Sequence, residues 1–323
     1  MTLNAGDVLV KRYRIVRPVG QGGFGAVYRA WDLSLKKPVA VKENFDADPL
    51  ARERFEGEAI LLAQLSHPSL PRVSDHFIVP DQGQYLVMDF VEGNSLEALL
   101  KERGGPLDEA EALPWIVQVC DALIYLHTRT PPVIHRDVKP ANVIITAEGQ
   151  AVLVDFGISK LFAADRGTAT ALRAVTPGYS PPEQYGVGQT DARSDVYALG
   201  ATLYTLLTNR TPPESVAMMA DSGTQLPLPR QLNPAIRPLT EQAILQAMAL
   251  SKSQRLQTAE AFRTALQPST PAPLIRGMAA GRVTAAHLTN GLAAPAESAT
   301  SHSPSRPWPL MVLVGLAALA LLA

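Results

Sequence analysis

Asp137, Lys139 and Asn142 lie in the run His135-Arg136-Asp137-Val138-Lys139-Pro140-Ala141-Asn142, and Asp155-Phe156-Gly157 follows closely. Acids, bases and one amide stand here at short spacing, a set suited to handling protons and charged ligands. Their surroundings are apolar: Val133-Ile134 before, Val143-Ile144-Ile145 between, and Val152-Leu153-Val154 just ahead of Asp155. Short apolar runs of this kind read as buried strands. Charged groups that punctuate buried strands cost desolvation energy unless they have partners, so the stretch reads as a site rather than a surface.

Two further features could complete such a site. Gly20-Gln21-Gly22-Gly23-Phe24-Gly25 is glycine-rich. Glycines let a backbone lie close over phosphates, with N–H groups facing anionic oxygens. A glycine-rich hairpin turn explains the same residues. Lys42 ends an apolar strand, Pro38-Val39-Ala40-Val41-Lys42, where a solvated surface lysine is the usual case. Glu58 lies sixteen residues on, within a segment (52–65) whose Phe55, Leu62 and Leu65 suit an amphipathic helix. A Lys42–Glu58 pair would fix the lysine for a phosphate.

The elements that must position these groups change character along the chain. Strands are expected at 13–19, 26–31, 38–42, 73–79 and 84–90, the first three forming an antiparallel meander. A strand after the glycine loop argues against a dinucleotide-binding fold, where a helix should open. Past the connector Val91-Glu92-Gly93-Asn94-Ser95 the pattern turns helical, at 96–102, 113–127, 195–207, 240–250 and 258–266, with Pro114 placed in a first turn. The segments between the later helices read as loops. A small β-rich lobe joined by a hinge to a larger helical lobe leaves an inter-lobe cleft, a favoured place for ligands.

The bulk properties set limits. The chain has 323 residues, 46% apolar, with a formal net charge of -1, so the charge balance gives no pointer to nucleic acid. A single cysteine, Cys120, in an apolar helical pattern, excludes an internal disulfide framework and reads as packing. The six histidines show no metal-ligand spacing. Residues 1–10 lack a basic segment followed by an apolar run, so no signal peptide is expected. From Pro268 onward only four residues are charged, Arg276, Arg282, Glu297 and Arg306, and residues 268–307 read as a Pro/Ala/Ser/Thr-rich linker. Residues 308–323 are uncharged and apolar. As a helix they would span roughly 24 Å against a hydrocarbon core of about 30 Å, short but within the reach of bilayer thinning. Arg306 and Trp308 suit a cytoplasmic-side interface, so a membrane anchor is expected there, with docking on the folded domain or on a partner as the alternative.

Together these pieces resemble the eukaryotic-type (Hanks-type) serine/threonine protein kinases of bacteria, over residues 7–267. Gly20, Gly22, Gly25 and Val27 fill G-x-G-x-x-G-x-V, and Val39-Ala40-Val41-Lys42 fills the third-strand motif. His135, Arg136, Asp137 and Asn142 fill the catalytic loop, Asp155-Phe156-Gly157 is intact, and Pro181-Pro182-Glu183 stands where Ala-Pro-Glu is usual. The resemblance implies an α+β, two-lobed kinase fold, with an N-lobe at about 7–91 and a C-lobe at about 92–267. It implies an ATP- and Mg²⁺-dependent enzyme that phosphorylates protein Ser/Thr hydroxyls.

By the same resemblance, Lys42, held by Glu58, takes the ATP phosphates. Asp155 and Asn142 hold Mg²⁺, Asp137 accepts the substrate proton, and Lys139 touches the transferred phosphate. Asp89 and Val91 supply hinge backbone to adenine, with Val19, Val27, Ala40, Met88, Ile144 and Val154 around the ring. Glu183 is expected to pair with Arg255, Asp195 to brace the catalytic loop, Thr168 and Thr170 to be activation-segment phosphosites, and Thr176 to shape the substrate pocket. A homodimer for trans-autophosphorylation and a cytoplasmic kinase domain tethered to the membrane complete the expectation. Val175 departs from the usual glycine, Ser251-Lys252-Ser253-Gln254 from an Asp-Pro-type turn, and Ser95 from an acidic residue that reads basic substrates, so no strong basic preference is expected. The rival is a pseudokinase binding platform, against which the intact Lys42, Glu58, Asp137, Asn142 and Asp155 argue.

Overall fold

The computed structural model describes residues 3–22, 25–44, 49–80, 82–156, 175–186 and 189–267, without the side chains of residues 49–52, 54 and 58. Contacts divide the chain into Met1–Thr270 and Pro271–Ala323. The expected linker and the apolar segment 308–323 lie outside the described residues, as do Gly157, Thr168 and Thr170. Among the described residues no helix is long and apolar enough to cross a membrane.

The N-terminal part is an antiparallel sheet built from β1 (Val8–Leu9), β2 (Tyr13–Gly22), β3 (Gly25–Asp32), β4 (Lys37–Asn44), β5 (Val73–Val79) and β6 (Gly83–Asp89). Its spatial order is β1-β2-β3-β4-β6-β5. Residues of β3 alternate strictly between part-buried and buried, as a strand with one face in the core must. The expected meander is present, and β3 follows the glycine loop as a strand, with Gly22 opposite Gly25 closing the hairpin. Lys42 pairs with Val27 on one side and Leu86 on the other, so β4 is central and its register is fixed from both edges. Helix α1 (Pro49–Ala63) buries Phe55, Ala59 and Leu62 and packs on β5.

The C-terminal part is helical, as expected: α2 (Leu96–Arg103), α3 (Glu109–His127), α4 (Ala192–Thr208), α5 (Ser215–Ala220), α6 (Pro229–Leu232), α7 (Pro238–Ala247) and α8 (Ala259–Leu266). Residues 194–208 of α4 are all buried, so this helix is the hub on which the others pack. Its three threonines, Thr202, Thr205 and Thr208, satisfy their hydroxyls on carbonyls four residues back. An Asp191–Ser194 capping box starts it. A small sheet, β7 (Asn94–Ser95), β8 (Val143–Ile145) and β9 (Ala151–Leu153), lies between hinge and catalytic residues.

Four expectations need correction. Val133-Ile134 forms no strand; residues 132–138 are irregular, the Val133 N–H donating back to the Leu126 carbonyl and the His135 and Arg136 N–H groups to the Asp195 side chain, with no neighbouring strand to pair with among the described residues. Pro114 lies inside α3 rather than in its first turn, since the helix begins at Glu109, behind Asp108 at its N-cap position and with acidic residues in its first turn. The stretch read as loop after α4 holds the short helices α5 and α6. Asn94–Ser95, read only as connector, pairs with Ile144–Ile145.

Candidate active site

Between the upper sheet and the small lower sheet lies a cavity of about 530 Å³. Val19, Gly20, Val27, Ala40 and Lys42 line it from above, Met88, Asp89 and Val91 from the hinge, and Asn142, Ile144, Val154 and Asp155 from below. Gly22 and Gly25, both expected to bind the cofactor, are not among its lining residues. Gly25 has a steric reason to be glycine: a Cβ there would stand 2.0 Å from the Glu43 carbonyl oxygen, so only glycine lets β3 approach β4 so closely at the hairpin. Arg17, Ser95 and Glu97 also line the cavity and stood outside the expected set. Ser95 caps α2 by accepting from the Ala98 N–H.

Lys42 projects from β4 and bridges the two walls. Its Nζ lies 2.5 Å from Asp155 Oδ1 and donates to the Phe156 carbonyl at 2.9 Å. The expected partner Glu58 sits on α1, but its side chain is outside the described residues. On the other face of the same strand, Glu43 is buried and accepts from Tyr28 at 2.8 Å and Tyr85 at 2.9 Å. Burial first, then the Glu43 bond, pushes the Tyr28 hydroxyl up to about 12 and that of Tyr85 further still, so both phenols stay donors at neutral pH. Glu43 stood outside the sequence expectations: a charged residue in line with Val39 and Val41, whose two tyrosine partners lie 15 and 42 residues away.

The lower wall converges on Asp137. Its Oδ1 accepts from the Thr176 hydroxyl at 2.9 Å. Its Oδ2 accepts from Lys139 Nζ at 3.0 Å and Asn142 Nδ2 at 2.9 Å. Asn142 Nδ2 also donates to the Asp137 carbonyl at 2.8 Å, which leaves its amide oxygen, and not its nitrogen, to meet a cation. The short turn Pro140–Asn142 brings the amide back onto the acid five residues earlier.

The backbone that presents Asp137 is unusual. Arg136 has φ +64° and Asp155 φ +60°, in the left-handed region that side chains other than glycine rarely adopt. Asp195, fully buried in α4, accepts from the His135 and Arg136 N–H groups, each at 2.8 Å, as the bracing expectation requires. Gln184 Nε2 holds the Arg136 carbonyl at 2.9 Å, and the Arg136 Nε donates to Thr190 at 3.0 Å. Burial works to raise the Asp195 pKa, but the bond from His127 and the neighbouring His135 hold it below the usual carboxylate range. Burial lowers the His135 pKa, keeping a neutral ring that packs on Phe156 at 5.0 Å between centroids. Glu183 pairs with Arg255 as expected, 2.6 Å apart and both buried, with Ser194 donating to the same carboxylate.

This geometry agrees with the comparisons to known proteins. The family model of the protein kinase domain matches residues 13–263. The chain belongs to the protein kinase family. Among curated kinases it is similar to the probable serine/threonine-protein kinase PknB of Lactococcus lactis, 33% identical over 276 residues, which are 83% of this chain and 43% of that protein. It is similar to the serine/threonine-protein kinase pkn2 of Myxococcus xanthus, 38% identical over 237 residues, 69% of this chain and 28% of the other. It is similar also to PknA of Mycobacterium tuberculosis, 36% identical over 262 residues, 77% of this chain and 60% of the other. The chain thus spans less than two thirds of the length of these relatives. Among solved structures it resembles the kinase domain of M. tuberculosis PknI, with 28% identity and a TM-score of 0.65, over 82% of this chain and 98% of that one.

Proposed function

We propose that this kinase-family chain is an active serine/threonine protein kinase, transferring the ATP γ-phosphoryl group to Ser and Thr hydroxyls of proteins. The observation that carries the reading is the meeting of Lys42, Asp155 and Asn142 at one cavity, with Asp137 hydrogen-bonded to Asn142 beside it, although about a hundred residues separate Lys42 from the other three.

The residues fit nucleotide and Mg²⁺. The cavity offers apolar walls at Val27, Ala40, Met88 and Ile144 for a flat ring, and hinge backbone at Asp89 and Val91 beside them. Among the described residues no cluster of three or more His, Cys, Asp or Glu could hold a metal. Mg²⁺ needs only one or two protein oxygens when phosphates complete its shell, and Asp155 and the Asn142 amide oxygen supply those. The bound cation would neutralise charge on the phosphate oxygens. Lys42 then holds phosphates from above, with Gly20, Gly22 and Gly25 in the hairpin over them. Asp137 orients the substrate hydroxyl and takes its proton, and Lys139, 3.0 Å from that carboxylate, meets negative charge on the transferred group. Thr176 ties the substrate-facing segment to the same acid. Phosphoryl transfer of this kind rests on placement and charge, which this chain's side chains provide.

The test is acid-stable label from γ-labelled ATP, found on serine and threonine only in the presence of Mg²⁺. Absence of label with every protein acceptor and with the chain itself would overturn the reading. A second copy serving as substrate in trans-autophosphorylation, and tethering to the cytoplasmic face of a membrane through residues 308–323, belong to the same proposal. The uncharged sequence of 308–323 supports the tether; a full-length chain that fractionates as soluble monomer would remove it, and an autophosphorylation rate per molecule independent of protein concentration would remove the trans reaction.

A further inference from the structure

Asp195 is reached from two directions. The His135 and Arg136 N–H groups approach it from the catalytic loop, at 2.8 Å to Oδ2 and Oδ1. His127 approaches from α3, of which it is the last residue, with Nε2 2.8 Å from Oδ2. An ionised carboxylate only accepts, so Nε2 carries the proton in this pair. His127 keeps about a tenth of its side chain exposed, whereas Asp195 keeps none. Without this donor, the buried charge would rest on two backbone N–H groups alone.

Those two N–H groups do more than satisfy an acid. They hold the peptide units on either side of His135, the second of which leads into a left-handed Arg136 whose own carbonyl is held by Gln184; that conformation lies of order 1–3 kcal/mol above ordinary backbone and persists only where its surroundings over-determine it. A carboxylate free to turn would release Arg136 and shift Asp137, the next residue. We infer that His127 is a positioning residue for phosphotransfer. It fixes the Asp195 carboxylate from α3, and through it the backbone that presents Asp137. This rests on the phosphotransfer reading above, but the geometric link can be measured without activity.

The experiment compares the full chain with His127→Gln and His127→Leu. Glutamine can donate from a similar reach; leucine fills the space and donates nothing. His127→Leu should lower kcat about tenfold with the KM for ATP within about twofold, the pattern of a misplaced acceptor rather than lost nucleotide binding. Amide exchange at His135 and Arg136 should quicken at least about tenfold in the same variant. His127→Gln should restore most of both. In the wild type, ¹⁵N spectra should place the ring proton on Nε2.

Unchanged exchange in His127→Leu overturns the inference whatever kcat does, and so does a glutamine variant as impaired as leucine. If His127→Leu does not fold, the glutamine variant and the wild-type ring proton decide, and a bare Nε2 overturns it. If the wild type transfers no phosphate, the kinase reading fails while exchange still decides the positioning.

Discussion

The two walls of the cleft hold their chemistry by different means. In the upper wall Lys42 is placed by a ladder: β4 is paired along both edges, and a slip of register would move every side chain to the other face. In the lower wall no ladder reaches residues 135–142. Arg136 and Asp155 are left-handed, and side chains hold the backbone instead: buried Asp195 on the His135 and Arg136 N–H groups, part-buried Gln184 on the Arg136 carbonyl, and Asn142, five residues on, on the Asp137 carbonyl. A ladder distributes its hold over many equivalent bonds. A backbone held by single side chains depends on each of them. Damage to the upper wall should therefore be graded, and damage to the lower wall abrupt.

The sharpest break is expected at the lower wall's outer brace. Glu183 neighbours Gln184, and its buried partner is Arg255. Arg255→Ala leaves that carboxylate buried and unpaired, at a cost of about 3–5 kcal/mol. Denaturant unfolding measures it, and a loss below about 1 kcal/mol would remove the distinction between the walls. Next comes the hairpin of the upper wall. Gly25→Ala sets a Cβ against the Glu43 carbonyl and should cost about 1–3 kcal/mol as β3 and β4 part, with weaker nucleotide binding by calorimetry. Wild-type stability and affinity would show that the close approach is dispensable. Smaller again is Glu43→Gln, expected at about 1 kcal/mol or less, because the amide keeps one acceptor and gives the other tyrosine a donor to accept from. A loss as large as that of Arg255→Ala would place a single-side-chain dependence in the upper wall too.

The smallest effect is a pH slope shared by both regions. Burial lowers the pKa values of His135 beside Asp137, of His76 in β5 and of His67, whose ring packs on Tyr125 of α3. The unfolded chain binds protons first as pH falls through about 6.5, so this contribution is present above that pH and lost below it. The thermal midpoint should fall between pH 7 and pH 5; a rise would contradict the neutral, buried rings.

Much of the upper wall was legible in the sequence because strands announce themselves by alternation. The span 73–79 agrees with β5 at both ends, and β3 and β4 differ from expectation by only one or two residues. The helices around Cys120 and Leu203 were legible through their apolar faces. The lower wall was legible as residue types and illegible as conformation. Val133-Ile134 has strand composition, yet the Val133 N–H donates to the Leu126 carbonyl at the end of α3, and the backbone just after it, at His135 and Arg136, is held by a side chain about sixty positions away, which no local pattern encodes. Nothing near Arg136 signals a left-handed backbone in the absence of glycine. Glu43 and His127 escaped for a similar reason: each acts through partners far along the chain. Pro114 misled because prolines favour first turns, whereas Glu109 and Glu111 set the start of α3.

The central claim is that Asp137 acts on the proton while Lys42, Asp155 and Asn142 hold the nucleotide and its cation. Phosphotransfer and nucleotide affinity measured side by side in wild type and Asp137→Asn test it most directly. Transfer should fall about 10²–10⁴-fold with Mg²⁺–ATP affinity unchanged. Equal transfer by the two proteins, or loss of nucleotide binding in the variant, would contradict it.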